Sequence, residues 1–286
     1  MKILNFGSLN TDHVYKVKNF VTPGETIKST QYIKKVGGKG LNQSIAIKRA
    51  GHDVFHAGAV GEDGQMLVDF LKKDNVNTDN VKLSEIPTGH AIIQVDEKGE
   101  NCILLYGGAN QNISESFADE VLQDFSQGDY IVLQNETNIV PCVIEKAYEK
   151  GMKIIFNPSP ITETILNFPL GKVSLFILNE VEGEALTGES NEDKIILSLL
   201  EKYPSAEFVL TLGSKGAIYF NKTQKIAVEA EKVEVVDTTA AGDTFTGYFI
   251  ANIAMGKSVN EALSIATKAA AKAVTTLGAA ESIPYM

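Results

Sequence analysis

Runs of apolar residues with no polar alternation, such as Ile131-Val132-Leu133 and Leu175-Phe176-Ile177-Leu178, constrain this chain more than any other feature. A strand with one wet face alternates apolar and polar side chains. A run without that alternation reads as a strand buried on both faces, the environment of a parallel sheet covered by helices. Candidate strands fall at residues 2–7, 54–60, 130–134, 153–157, 175–179, 208–212 and 217–220. Helical patterns lie between and after them, at 40–50, 65–74, 114–124, 140–150 and 192–202, then at 241–255 and 259–276. This spacing predicts βαβ crossovers and an α/β fold, a doubly wound, mostly parallel sheet flanked by helices.

Two regions break the rhythm. Residues 12–36 read as a strand, a Thr-Pro-Gly-Glu-Thr turn and a longer β segment ending at Val36. Residues 88–106 read as a β-hairpin around Asp96–Glu100. Their shared character predicts a small β-sheet lid, discontinuous in sequence, on a single domain spanning 1–286. The alternative is that they are edge strands of the main sheet.

Composition excludes several functions. The 26 Lys plus Arg are outnumbered by 36 Asp plus Glu, a net charge of −10 without any basic cluster, so nucleic acid and membrane surfaces are not expected partners. Cys102 and Cys142 form no CxxC, which excludes a disulfide scaffold and points to a reducing compartment, the cytoplasm. No stretch approaches the roughly 18 apolar residues of a membrane span, and the N-terminus has too short an apolar run for a signal peptide.

The strongest chemical signal is Asp237-Thr-Thr-Ala-Ala-Gly-Asp243-Thr-Phe-Thr-Gly247, set between a β-like run at 232–236 and a helical pattern. Ala240, Ala241, Gly242 and Asp243 are therefore predicted to form a first helical turn whose N–H groups have no helical partner. They would face one spot that favours negative charge. Asp243 beside that spot could take a proton from an attacking hydroxyl. An anion cradle plus a carboxylate base is what phosphoryl transfer to an alcohol requires. The plainer reading is an ordinary helix start with an acidic first turn.

Gly37-Gly38-Lys39-Gly40-Leu41-Asn42-Gln43 is a second glycine-rich entry to a helix, without P-loop spacing. Asn10 and Asp12 follow the first strand two residues apart, so in extended chain they project to one side and could hold two hydroxyls of a polyol; an Asx turn is the alternative. Glu136, Asn157, Asn179, Glu182 and the Thr211–Gly216 turn all follow predicted strands at the same sheet edge. His52 and His56 lack the helix and the Glu of a zinc motif, and Glu229–Glu234 reads as a solvated strand or loop.

In order along nearly the whole chain, GSLNTDH, TPGET, GGKGLNQ, TGHAIIQVDEKGEN, GGAN, NPSP, TLGSKG and DTTAAGDTF resemble the ribokinase-like carbohydrate kinases. The resemblance implies an α/β body whose β lid closes over the sugar and makes a homodimer contact. It also implies ATP-dependent phosphorylation of the primary hydroxyl of a free sugar, D-ribose foremost. A nucleoside, fructose or deoxy-sugar acceptor is the alternative, and a non-catalytic sugar or nucleotide sensor is a further one.

The resemblance assigns Asp243 as base and Ala240, Ala241 and Gly242 as anion hole. It puts Asn10, Asp12, Gly38, Lys39, Asn42 and Glu136 at the sugar, and Asn179 and Glu182 beside Mg²⁺ through water. Thr211, Gly213, Ser214 and Gly216 fall at the nucleotide. Asp237, Thr239, Ala273, Thr276, Gly278 and Ser282 fall at a monovalent-cation site for K⁺. Three departures stand out. Ala240 replaces a residue that is often Gly. His90 sits in the lid hairpin, where it could alter how the lid covers the sugar. The sequence ends four residues after Ser282, which bears on the nucleotide or cation rim.

Overall fold

The computed structural model describes all 286 residues. Its elements run β1 (Ile3–Phe6), β2 (Asn10–Lys16), β3 (Gln31–Gly37), α1 (Lys39–Arg49), β4 (Phe55–Val60), α2 (Gln65–Lys73), β5 (Asn77–Leu83), β6 (Gly89–Val95), β7 (Asn101–Tyr106), α3 (Glu115–Leu122) and β8 (Tyr130–Gln134). The chain continues through α4 (Val140–Glu149), β9 (Lys153–Asn157), β10 (Leu175–Asn179), α5 (Glu180–Thr187), α6 (Glu192–Lys202), β11 (Glu207–Thr211), β12 (Ala217–Phe220), β13 (Lys225–Val228), α7 (Ala241–Ala254) and α8 (Val259–Ala273).

Nine strands form one sheet in the order β13-β12-β11-β10-β9-β8-β1-β4-β5, parallel from β11 to β5 and antiparallel across β11, β12 and β13. The apolar runs are explained by what covers each face. In β8, Ile131 and Leu133 enter a core shared with α3, α4, α5 and α6, while Tyr130 and Val132 enter one shared with α1, α7 and α8. Neither face is wet, so neither alternates. β2, β3, β6 and β7 form a separate four-stranded sheet in the order β3-β2-β6-β7, not edge strands of the main one.

Three elements had no expectation in the sequence. β5 and β13 are mixed-polarity edge strands, and α5 is a short helix whose start is fixed by an Asn179–Glu182 capping box. The β-like run at 232–236 is not a strand; it is exposed, irregular chain. Helix α8 stops at Ala273 rather than 276, and the Val274 carbonyl accepts from the N–H groups of Val236 and Asp237, tying this end to the chain before α7.

Two glycines set the approach of the elements that build the site. A Cβ on Gly40 would lie 2.4 Å from the Ser8 nitrogen, so α1 can start against the end of β1 only without a side chain there. A Cβ on Gly247 would lie 2.3 Å from the Ala46 Cβ, so α7 packs directly on α1. One turn before Gly247, that contact brings Asp243 opposite Asn42 and Gln43.

Candidate active site

The strand order reverses between β1 and β8, and the crevice beyond the carboxyl ends of such a pair is where an open α/β sheet binds ligand. Ser8 after β1 donates its hydroxyl to Glu136 after β8, and the Lys39 N–H donates to the same carboxylate oxygen at 2.9 Å. This stitch leaves the other Glu136 oxygen without a protein donor. Asn10 is buried and held by Asn110, whose Nδ2 donates to Asn10 Oδ1 at 2.8 Å. Asp12 lies over Gly37, where a Cβ would meet its carboxylate at 2.4 Å. No protein group donates to Asp12. Its pKa is raised from 3.8 to about 6, first by burial, then by the like charges of Glu136 and Glu281, with Lys35 pulling the other way.

At the start of α7, Ala240 is the N-cap with φ 60°, left-handed backbone. The Thr244 N–H bonds to the Ala240 carbonyl at 2.8 Å, and the Ala241 N–H bonds to the Thr238 carbonyl at 3.2 Å. The expected cradle is therefore corrected at Ala241, whose N–H is already engaged. The N–H groups of Ala240, Gly242 and Asp243 have no protein acceptor and remain for an anion. The Asp243 carboxylate is clasped from α1. Asn42 Nδ2 donates to Oδ2 at 2.9 Å and Gln43 Nε2 donates to Oδ1 at 2.9 Å. Asn42 Oδ1 is buried without a donor.

Two cavities adjoin at this helix start and share Thr211, Thr238, Ala241 and Gly242. The smaller, about 230 Å³, is walled by Lys39, Asn179, Glu182 and Asp243 among others, a polar space suited to phosphates. The larger, about 480 Å³, is mostly apolar, with Val233, Val235, Phe245 and Val274 beside the Gly213–Gly216 turn, a slot suited to a nucleobase. Ser214 and Gly216, which the resemblance assigns to the nucleotide, are among the residues that line it. Burial lowers the affinity of Lys39 for its proton, but attraction from Asp243, Glu136 and Glu182 outweighs it, so its pKa is raised. Glu182 is pushed up, chiefly by burial, against hydrogen bonds from the Asn179 backbone and Ser159 and the charge of Lys39.

No group of three His, Cys, Asp or Glu is placed to cage a metal ion. A divalent ion here would be held through phosphate and water, the usual habit of Mg²⁺, with Glu182 as the nearby buried carboxylate. Asn179 Oδ1 is occupied by the Glu182 N–H, so only its amide nitrogen faces the cavity unengaged. The residues expected at a monovalent cation are brought together. Asp237 accepts from the N–H and hydroxyl of Thr239 and from the Gly278 N–H at 3.0 Å. The Ala273 carbonyl accepts from the Thr276 N–H and the Ser282 hydroxyl donates to the Ala279 carbonyl, while the Thr276 and Gly278 carbonyls have no protein donor. A carboxylate with free backbone oxygens is a hard-oxygen set that fits such an ion.

One expectation changes and another is extended. Asp12 pairs with Ala91 and Thr11 with His90, so alternation puts His90 on the face of the small sheet opposite Asp12. There it packs on Tyr106, ring centroids 5.1 Å apart, and cannot itself cover what Asp12 holds. The segment 229–234 is solvent-exposed chain as expected, and it also supplies Ala230, Glu231, Lys232 and Val233 to the larger cavity, which the sequence reading did not foresee. Sequence reasoning also missed Asn5, Gln43 and Gln134, buried amides behind Asp243. The available signal was a polar residue inside an otherwise apolar strand, as in Ile-Leu-Asn-Phe and Ile-Val-Leu-Gln.

Comparison with known proteins agrees with this geometry. The model of the pfkB family carbohydrate kinases matches residues 1–286. Ribokinase of Haemophilus influenzae is 34% identical, over 97% of this chain and 94% of that protein. Ribokinase of Schizosaccharomyces pombe is 36% identical, over 100% and 96%. The structure of Arabidopsis thaliana ribokinase complexed with ribose and ATP superposes with a TM-score of 0.90 at 28% identity, covering 99% of this chain and 95% of that one. With the family's match running the length of the chain and the two cavities meeting at the start of α7, the chain belongs to the pfkB family of carbohydrate kinases.

Proposed function

We propose that this kinase transfers the γ-phosphoryl group of ATP to the primary hydroxyl of D-ribose, giving ribose 5-phosphate. The observation that carries the reading is the position of Asp243, clasped by two amides where the crevice adjoins the unpaired N–H groups of α7. In the reaction Asp243 accepts the proton of the sugar hydroxyl as its oxygen attacks in line. Ala240, Gly242 and Asp243 N–H groups hold the charge that develops on the transferring group, with Lys39 alongside. Asn10, Asp12, the free oxygen of Glu136 and Asn42 Oδ1 take the remaining hydroxyls. The larger cavity takes adenine. Mg²⁺, when bound, neutralises phosphate charge. K⁺, when bound by the 237–239 and 273–282 loops, adds positive field beside the anion hole.

The two-chain-segment sheet is read as a lid that excludes water once sugar is bound. On the face of Asp12 it places Lys35 directly opposite, with the aliphatic Val14, Ile33, Ala91, Ile93, Ile103 and Leu105 beside it and no aromatic. The aromatics Tyr15, Tyr32 and Tyr106 are on the other face, which supports a free sugar over a nucleoside, since a base needs a stacking partner. The outer strand β7 exposes Leu104, Leu105 and Tyr106, supporting a homodimer through the lid. No helix is long and apolar enough to cross a membrane, and both cysteines are unpaired, in keeping with the cytoplasm. ADP release should be measured with MgATP and K⁺ across D-ribose, 2-deoxyribose, fructose, adenosine and uridine. Turnover confined to ribose supports the reading. Preference for another acceptor replaces ribose in it, and sugar binding without turnover on any would leave the sensor.

A further inference from the structure

Behind Asp243 lies a line of fully buried neutral side chains that touches neither cavity: Gln43, Gln134, Asn5, Ser44 and His56. Buried amides persist where their hydrogen bonds are made; here Gln134 Oε1 and His56 Nε2 alone in the line lack a partner, and the bonds that are made run in one direction. Gln134 Nε2 donates twice, to Asn5 Oδ1 at 2.9 Å and to Gln43 Oε1 at 2.7 Å. Asn5 Nδ2 donates to the Gly40 carbonyl at 2.7 Å and to Ser44 Oγ at 2.8 Å, and Ser44 meets His56 Nδ1 at 2.8 Å. Burial holds His56 neutral, its pKa pulled down to about 3, so Nδ1 can accept the Ser44 proton. Gln43, its oxygen taken by Gln134, turns both N–H groups the other way, to Asp243 Oδ1 at 2.9 Å and Asn157 Oδ1 at 3.2 Å.

We infer that Gln43 is a positioning residue for the base, and that Gln134, about which the line pivots, acts on catalysis only through Gln43. An amide has one donating and one accepting end. Were Gln43 turned over, its oxygen would face the Asp243 carboxylate and the Asn157 oxygen together, two repulsions replacing two bonds. Gln134 forbids this turn because its own reversal would put an oxygen against two oxygens, Asn5 Oδ1 and Gln43 Oε1. The rotation of the Asp243 carboxylate, and so the lone pair it offers the sugar hydroxyl, is set by side chains from β1, β8 and α1. The amide bonds to Asp243 carry no charge themselves; Lys39 attracts the carboxylate but makes no hydrogen bond to it, so its rotation is left to the amides. The Asn5 bond to the Gly40 carbonyl ties the same line to the glycine turn.

The inference rests on Asp243 being the base, and the experiment separates the two. Gln43→Met, Gln134→Met, the double variant and Asp243→Asn are compared by kcat, by KM for sugar and ATP, and by thermal melting. Misplacing a reacting group by about 1 Å costs on the order of a hundredfold. Gln43→Met should therefore lose about 30-fold in kcat and Gln134→Met about tenfold, with both KM values within about twofold. The double variant should be no slower than Gln43→Met, because residues acting through one another are not additive. A purely structural role would lower melting and leave kcat per folded molecule unchanged, which overturns the inference. So would losses that multiply in the double variant. Where Gln43→Met does not fold, Gln43→Glu keeps the shape while turning a carboxylate toward Asp243. Lost kcat with retained sugar binding supports the inference, and retained kcat overturns it. If Asp243→Asn is itself active, the base assignment falls and the inference with it. If Asp243→Asn is inactive while Gln43→Met is not impaired, only the inference falls.

Discussion

Glu136 is coupled by charge to two aspartates, Asp243 on helix α7, which raises its pKa, and Asp12 on the small sheet, whose pKa it raises, and the two are housed in opposite ways. Asp243 has an amide donor on each oxygen, and one of those donors is itself held by a buried chain. Asp12 has no donor, two carboxylates acting on it, and a pKa of about 6. The difference teaches which part of the reaction the protein prepares in advance. On the proposed function, Asp243 as proton acceptor is oriented before any ligand arrives, so little reorganisation is needed at the transition state. On the same proposal, Asp12 lacks donors until sugar hydroxyls supply them, and sugar binding would relieve its unfavourable charge.

The sharpest way to break this comparison is to make the same change at both aspartates. Asp243→Asn removes the proton acceptor but keeps shape and an amide on each neighbour's side, so kcat should fall by about 10²- to 10⁴-fold with sugar and ATP binding retained. Asp12→Asn should do the reverse. It removes charge-assisted hydrogen bonds worth about 1.5–3 kcal/mol, so KM for the sugar should rise by about 10- to 100-fold while kcat stays within about threefold. Steady-state kinetics with calorimetric sugar binding read both. Equal effects on kcat from the two variants would show that the aspartates share one role.

A smaller effect sharpens the comparison through pH. With its pKa at about 6 in the free enzyme, Asp12 loses its charge as pH falls through that value. The profile of kcat/KM for the sugar should therefore bend near pH 6 and fall up to about tenfold per unit below it. In Asp12→Asn that bend should vanish on a lower plateau. Stability has the opposite sign. A carboxyl raised from 3.8 to about 6 destabilises the fold fully above pH 6, and the penalty is relieved as pH falls toward 3.8. Its size is roughly 3 kcal/mol. Sugar-free enzyme should thus gain stability between pH 7 and 5 at this site, and saturating ribose should abolish the gain.

Much of this was legible because it was local. Apolar runs placed seven strands of the main sheet to within a residue or two, since burial on both faces leaves a one-dimensional signature. Asp243, Asn42 and Glu136 were legible as motif residues. What was not legible depends on distance or on backbone angle. Nothing in the sequence connects Gln43 with Gln134, 91 positions away, or Asn5 with Gln134, 129 away. The segment 229–234 alternates charge and is exposed, yet it lines the larger cavity opposite Phe245 and Val274, because an exposed stretch can still form one wall of an open slot. The Ala241 N–H is spent on Thr238 only because Ala240 turns left-handed, which an alanine gives no reason to expect.

That left-handed alanine sets the smallest test. The housing of Asp243 is complete in hydrogen bonds, but its first residue has φ 60°, where an L-residue costs roughly 1–2 kcal/mol. The Thr244 N–H bond to the Ala240 carbonyl and the following turn hold it there. Glycine would adopt the angle without that cost, while losing roughly 0.5–1 kcal/mol through the greater freedom of its unfolded chain. Ala240→Gly should therefore stabilise the protein by about 0.5–1 kcal/mol and raise the melting temperature by about 1–2 °C. If the strain only closes the turn, kcat should stay within about twofold, since the bonds from Asn42 and Gln43 still orient the base. A clear loss of kcat with the expected gain in stability would mean that the strained turn also aims the Gly242 and Asp243 N–H groups. The preparation seen at the carboxylate would then extend to the anion hole, leaving Asp12 as the one part of the site that waits for its ligand.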